Sequence, residues 1–246
     1  MSSLLGKSVR RSFAACACVT SHFHVSIRAS SGDPNAGNRA AVHVDYMERE
    51  YANGNQELRP DTRSYSLFLS AVSKSTGSEK AKTALDVMER MKKQIQQGNP
   101  DVAIDEHHYS LAINACAFSN ADVESEAEAF KIAASLFDEV VISSVLEPSS
   151  LTYGWFLQAC GRLRVSDAMK NPYIERAFCL CRDEGLVNDF VLRRLFGAAS
   201  PELLDKLFSE TGIDVARKQN QVKVSMLPPS WTSKAHRRHN TGKSGS

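Results

Sequence analysis

YSLAINAC, residues 109–116, has one counterpart 44 residues earlier, YSLFLSAV at 65–72, and another 44 residues later, YGWFLQAC at 153–160. Each begins with Tyr, has Leu or Ile four residues on, Ala six on, and Val or Cys seven on. Offsets of zero, four and seven fall on one side of an α-helix, so each stretch is a helix with one apolar face. An isolated core helix has no reason to recur at a fixed interval. The recurrence marks these stretches as the first helices of repeated units.

A second helix follows each copy. ALDVMERM (84–91), AASLFDEV (133–140) and AFCLCRDE (177–184) align with a small residue first and apolar residues behind it, in a background of good helix formers. Each unit is therefore a helical hairpin. The approaches to the three tyrosines, RPDTRSY, AIDEHHY and EPSSLTY, supply the Asp and Ser residues that cap a new helix. Upstream, AAVHVDYMEREYANGN (40–55) shadows ALDVMERMKKQIQQGN (84–99), which predicts a lone capping helix over 39–54. Units are expected at about 62–105, 106–149 and 150–189. A degenerate closing unit without a Tyr is expected at 190–211, with Pro201 opening its second helix.

Charge separates the ends from the middle. The net charge is +2, but residues 1–32 carry Lys7, Arg10, Arg11 and Arg28 with no acid, and the tail after Asp214 carries seven Lys or Arg, again with no acid. The 11 basic residues of these ends leave 19 of the 30 against all 28 acids, so residues 33–214 carry −9. The first segment is Arg-bearing and Ser-rich, the composition of an organelle transit peptide. A mitochondrial address is expected, with the chloroplast as the alternative. A secretory signal ranks behind both, because its apolar core, FAACACV, is only seven residues long. The basic tail, residues 215–246, lacks periodicity and is expected to be largely disordered or loosely docked, with Trp231 as its anchor. No stretch approaches the roughly 20 apolar residues of a membrane span, so no membrane association is expected.

Tyr followed by helix A, an A-L-x-x-M/F-x-x-M helix B and a Pro/Asp turn leading to the next Tyr resembles the pentatricopeptide repeat family. The nearest matches are PDTRSYSLFLSAVSK, ALDVMERM and EPSSLTYGWFLQAC. The 44-residue unit is longer than the family's, and the surplus lies in surface loops, which accept insertions at little cost. The long, degenerate units are similar to the repeat region of protein-only ribonuclease P, and their length is also similar to that of tetratricopeptide proteins that bind other proteins. The resemblance implies an all-α fold, a right-handed α-solenoid of helix-turn-helix units. It also implies binding of single-stranded organellar RNA in RNA processing, stability or translation. By resemblance, base-facing residues are Ser66, Ser110 and Gly154 after each Tyr, and Asp105, Ser149 and Asp189 at the unit ends. Arg63, His107 and Leu151, two residues before each Tyr, would sandwich bases.

The −9 charge of the middle opposes phosphate binding unless the basic residues are segregated. Arg63, Lys74, Arg162 and Arg164 are expected on first helices and could form a modest basic groove. The alternative is a protein-interaction scaffold using the same concave surface. No catalytic role is expected: Glu124, Glu126 and Glu128 lie two apart and do not converge on one helical face, reading instead as a solvated helix start. Neither His107-His108 nor HRRH (236–239) has a carboxylate-backed setting for metal. TGKS (241–244) lacks the earlier glycine of a phosphate loop. No cofactor, metal or small-molecule substrate is expected. The six cysteines fit no disulfide framework and read as small buried side chains.

Overall fold

The computed structural model describes residues 35–119, 122–213 and 222–235, together with His24 and Val215. Among the described residues the chain is all-helical, with no strand. The capping helix is α1 (Ala36–Ala52). Three hairpins follow, α2 (Thr62–Lys74) with α3 (Lys80–Gln96), α4 (Glu106–Cys116) with α5 (Val123–Ile142), and α6 (Ser150–Arg162) with α7 (Asp167–Asp183). The closing pair is α8 (Asp189–Ala198) with α9 (Pro201–Phe208), and a short α10 (Pro229–Thr232) lies in the tail.

The N-caps show why the units start where they do. Asp61, Asp105, Ser149 and Asn188 have extended backbones, and each side chain accepts the backbone N–H three residues on, from Ser64, His108, Thr152 and Val191. Such a cap is worth about 1 kcal/mol. Four residues past each cap comes the inward position, filled by Tyr65, Tyr109 and Tyr153, and then by Leu192 in the closing unit. The repeat register therefore continues through α8 after the Tyr is lost. Offsets zero, four and seven are buried in all three Tyr units: Tyr65, Leu69, Val72; Tyr109, Ile113, Cys116; Tyr153, Leu157, Cys160. Second helices cover this stripe. Phe137 of α5 stacks on Phe156 at 4.1 Å between ring centres and meets Tyr153 edge-on at 5.9 Å.

Contacts run between neighbours. Each first helix packs on the next (α2 on α4, α4 on α6, α6 on α8), each hairpin closes on itself, and each second helix also packs on the first helix that follows it. The α6–α8 contact is made close by two glycines: a Cβ on Gly161 would sit 2.8 Å from the Gly197 carbonyl oxygen. Second helices are tied by charge. Arg90 of α3 reaches Asp45 at 2.7 Å and Glu48 at 3.0 Å on α1, Lys92 reaches Glu139 of α5 at 2.6 Å, and Arg176 of α7 pairs with Asp138 of α5.

The tail departs from the expected disorder over residues 222–235. Trp231 is buried in an aromatic nest with Phe178 (5.8 Å) and Phe208 (5.7 Å), under the Arg182 guanidinium. Backbone bonds from Val187 N–H to the Trp231 carbonyl and from Lys234 N–H to the Gly185 carbonyl fix the segment. Apolar burial and these two bonds outweigh the polar composition from which disorder was expected. Except for Val215 and residues 222–235, the tail lies outside the described residues. The predicted address of residues 1–32 lies outside them as well, except for His24. That ring is buried, with Nε2 at 3.0 Å from both Asp61 Oδ1 and Ser64 Oγ.

Candidate nucleic-acid interface

The residue after each Tyr faces the next unit. Ser66 Oγ lies 2.8 Å from His108 Nε2 and also donates to the Thr62 carbonyl, while His108 Nδ1 lies 2.5 Å from Asp105 Oδ1. His108 is 1% exposed. The aligned contact one unit later joins Ser110 Oγ to Thr152 Oγ1 at 3.2 Å. There Glu106 Oε1 takes three hydroxyl donors: Ser110 at 2.6 Å, Ser149 at 2.7 Å, and Thr152. At the third seam a Cβ on Gly154 would lie 2.1 Å from the Phe190 ring, so the glycine admits that ring.

These contacts decide the fate of several expected base readers. Ser66, Ser110 and Gly154 are engaged between units, Ser110 being 2% exposed. Asp105 and Ser149 are occupied as helix caps. Asp189 is exposed, but the aligned cap is Asn188, one residue earlier. The expected sandwiching row fares differently. Arg63, His107 and Leu151 are all exposed, each at the second position of its helix.

That row belongs to a larger panel opposite the Tyr stripe. Offsets −2, +2, +5 and +9 from the Tyr lie within about 60° of one another around a helix with 3.6 residues per turn, and side chains there are largely half-buried or exposed. On α2 they are Arg63, Leu67, Ser70 and Lys74. Along and just after α4 they are His107, Leu111, Asn114 and Phe118, and on α6 Leu151, Trp155, Gln158 and Arg162. Phe190, Arg194 and Gly197 take the same places on α8.

Cations and aromatic faces alternate here. Arg162 and Lys80, at the start of α3, both lie over the Phe118 ring, at 4.4 and 5.8 Å from its centre. Arg194 lies over Trp155 at 5.7 Å and Phe190 at 5.1 Å, and those two rings meet edge-on at 4.9 Å. Burial, and then Arg162, hold the Lys80 ammonium below its ordinary value. Burial, then Arg193 and Arg162, do the same to the Arg194 guanidinium. Like charges are thus gathered without a compensating carboxylate. Among the described residues no salt bridge involves Arg63, Lys74, Lys80, Arg162, Arg193 or Arg194, whereas Arg90, Lys92, Lys170, Arg176 and Arg182 of the second helices are all paired. First helices carry only Glu106 and Asp189 as acids.

Two expectations about charge are corrected. Arg164 lies beyond the end of α6 and is bound to Glu126, with Nη2 at 2.9 Å and its backbone N–H at 2.7 Å, so it is not a free groove cation. Glu126 is not solvated: it is 5% exposed, because the first turn of α5 tucks it under the following hairpin loop, where that arginine neutralises it. At the centre of the panel, Asn114 Oδ1 and Gln158 Oε1 are buried without a hydrogen-bond partner. Sequence reading passed over both, because an amide on a helix carries no motif.

The chain matches no protein-family model, and comparisons with curated proteins and with solved structures likewise gave no match. Among the described residues, no helix is long and apolar enough to cross a membrane, and no group of three or more His, Cys, Asp or Glu could hold a metal ion.

Proposed function

We propose that this protein is a right-handed α-solenoid of pentatricopeptide-like units that binds single-stranded RNA on its first-helix face and acts in RNA metabolism of an organelle, without catalysing a reaction. The observation that carries this reading is the set of cations that meet no carboxylate among the described residues, Arg63, Lys74, Lys80, Arg162, Arg193 and Arg194, interleaved with Phe118, Trp155 and Phe190; of these, Lys80 and Arg162 donate to the Ser73 and Ala117 carbonyls. Unpaired cations attract phosphates and release counterions. Aromatic and guanidinium faces stack on bases. Segregation of charge offsets the −9 of the folded region: Arg90, Lys92, Lys170, Arg176 and Arg182 of the second helices are paired with acids, whereas the first helices carry only Glu106 and Asp189 as acids.

The test is titration of a labelled single-stranded RNA with the full-length chain between about 50 and 200 mM salt. Arg162→Glu combined with Arg194→Glu should weaken binding by more than about 10-fold and flatten the log–log salt dependence by about 1.4, at about 0.7 per lost phosphate contact. An unchanged affinity would move binding to the basic tail, and no binding by the wild type would remove the reading. Fluorescent tagging of residues 1–32 decides between mitochondrion and chloroplast.

A second reading, a protein scaffold, has one observation of its own. A groove of about 700 Å³ between α5 and α7 is lined by Phe130, Ala134, Ile142, Leu146, Met169 and Tyr173. Under that reading a photo-crosslinker at Ile142 labels a discrete protein, and the first-helix face labels no RNA.

A further inference from the structure

Two amides stand where the panel is deepest. Asn114 and Gln158 share the +5 offset on adjacent first helices, one turn past Leu111 and Trp155 and one turn before Phe118 and Arg162. Gln158 is 6% exposed, and the carboxamide oxygens of both have no hydrogen-bond partner. A buried polar group without a partner is unusual in a folded protein; Arg59, Tyr153, Asn171 and Arg194 also hold such atoms, but these two amides stand at register-equivalent places on adjacent first helices. Gly197 takes the same +5 place on α8, where an added Cβ would meet nothing within 4 Å.

We infer that Asn114 and Gln158 are the base-reading side chains of this protein, each hydrogen-bonding the edge of one nucleobase of a bound single strand. This rests on the RNA-binding reading above. A carboxamide offers an acceptor and a donor side by side, which is the arrangement that pairs in bidentate fashion with a base edge. Their surroundings supply what a base needs: the Trp155 and Phe118 rings lie one turn away along the panel, and Arg162, exposed and over the Phe118 ring, offers charge to the backbone phosphate. Packed helices lie about 8–10 Å apart, so each amide serves a separate nucleotide. The sites after each Tyr, where the family resemblance would put the readers, are closed by contacts between units.

The experiment measures affinity of the full-length chain for four labelled homopolymer RNAs, before and after Asn114→Leu with Gln158→Met, which keep shape and remove the polar edge. The wild type should discriminate between bases by about 10-fold or more, from one to two bidentate contacts. The variant should lose affinity for the preferred RNA by about 10-fold, down to that of the poorest one, which cations and rings still hold, so that its discrimination collapses to about 2-fold. Thermal melting should be unchanged or higher in the variant, an outcome opposite to that of a structural hydrogen bond. Asn114→Ala alone, at a half-buried position, should lose part of the discrimination even where the double variant folds poorly. Discrimination that survives the substitutions, or a wild type that binds all four RNAs alike, overturns the inference and leaves RNA binding standing. A wild type that binds none of them overturns both.

Discussion

Removing the Glu106 carboxylate tests whether the hydroxyl cluster ties the second unit to the third. In Glu106→Ala, buried Ser110 keeps only its 3.2 Å contact with Thr152, while Thr152 still accepts the Ser149 N–H at 3.1 Å and Ser149 keeps its capping bonds. A hydrogen bond to a charged group contributes about 1.5–3 kcal/mol, and a buried donor left unpaired costs about 1–3 kcal/mol. All three donors share one oxygen, so the contributions do not add. The expected loss is about 2–4 kcal/mol, which for a domain of this size lowers Tm by about 5–15 °C. Urea unfolding followed by far-ultraviolet circular dichroism should show a lower midpoint with an unchanged slope. Glu106→Gln keeps an acceptor oxygen and should lose about half as much. A loss below about 0.5 kcal/mol for the Ala variant would mean that the three hydroxyls do not tie the second unit to the third.

Gly154→Ala should destabilise by about 1–3 kcal/mol, because its Cβ would sit 2.1 Å from the Phe190 ring; displacement of that ring from Trp155 would appear in tryptophan fluorescence. Burial pushes the Cys116 and Cys160 thiols up to about 12, so peptide mapping after alkylation at mildly alkaline pH should find both unmodified in the native chain and modified once it unfolds. At Asp61 burial raises the carboxyl, but hydrogen bonds from His24 and Ser64 and the His24 charge overcome it and hold the group below its ordinary 3.8. A depressed folded value gives stability that is present above the unfolded value and lost as pH falls through the folded one. Asp61→Asn, which keeps a capping side chain, should therefore unfold more easily than the wild type at neutral pH and match it in strong acid; equal stability at both pH values would refute the assignment.

The period-44 recurrence carried the fold. Offsets zero, four and seven, repeated three times, leave a helix one possible inner face, and the caps at Asp61, Asp105 and Ser149 were readable because capping is local chemistry within four residues. Local rules also recovered the closing pair without the Tyr, with Pro201 opening its second helix. What those rules could not carry was whatever depends on how units stack. Ser66, Ser110 and Gly154 look free in the sequence; in the fold each meets a residue of the next unit, His108, Thr152 or Phe190, some 36–42 positions away. Glu126 reads as a solvated acid and Arg164 as a groove cation, and they prove to be one pair, 38 residues apart. Trp231 was legible as an anchor, but only its nest with Phe178 and Phe208 orders residues 222–235. By itself the sequence determined a chain of helical hairpins, because helix periodicity and caps are set by neighbours along the chain. Tertiary structure alone decided which polar residues the stacking consumes and which cations remain unpaired, because both depend on a partner that the next unit brings into reach.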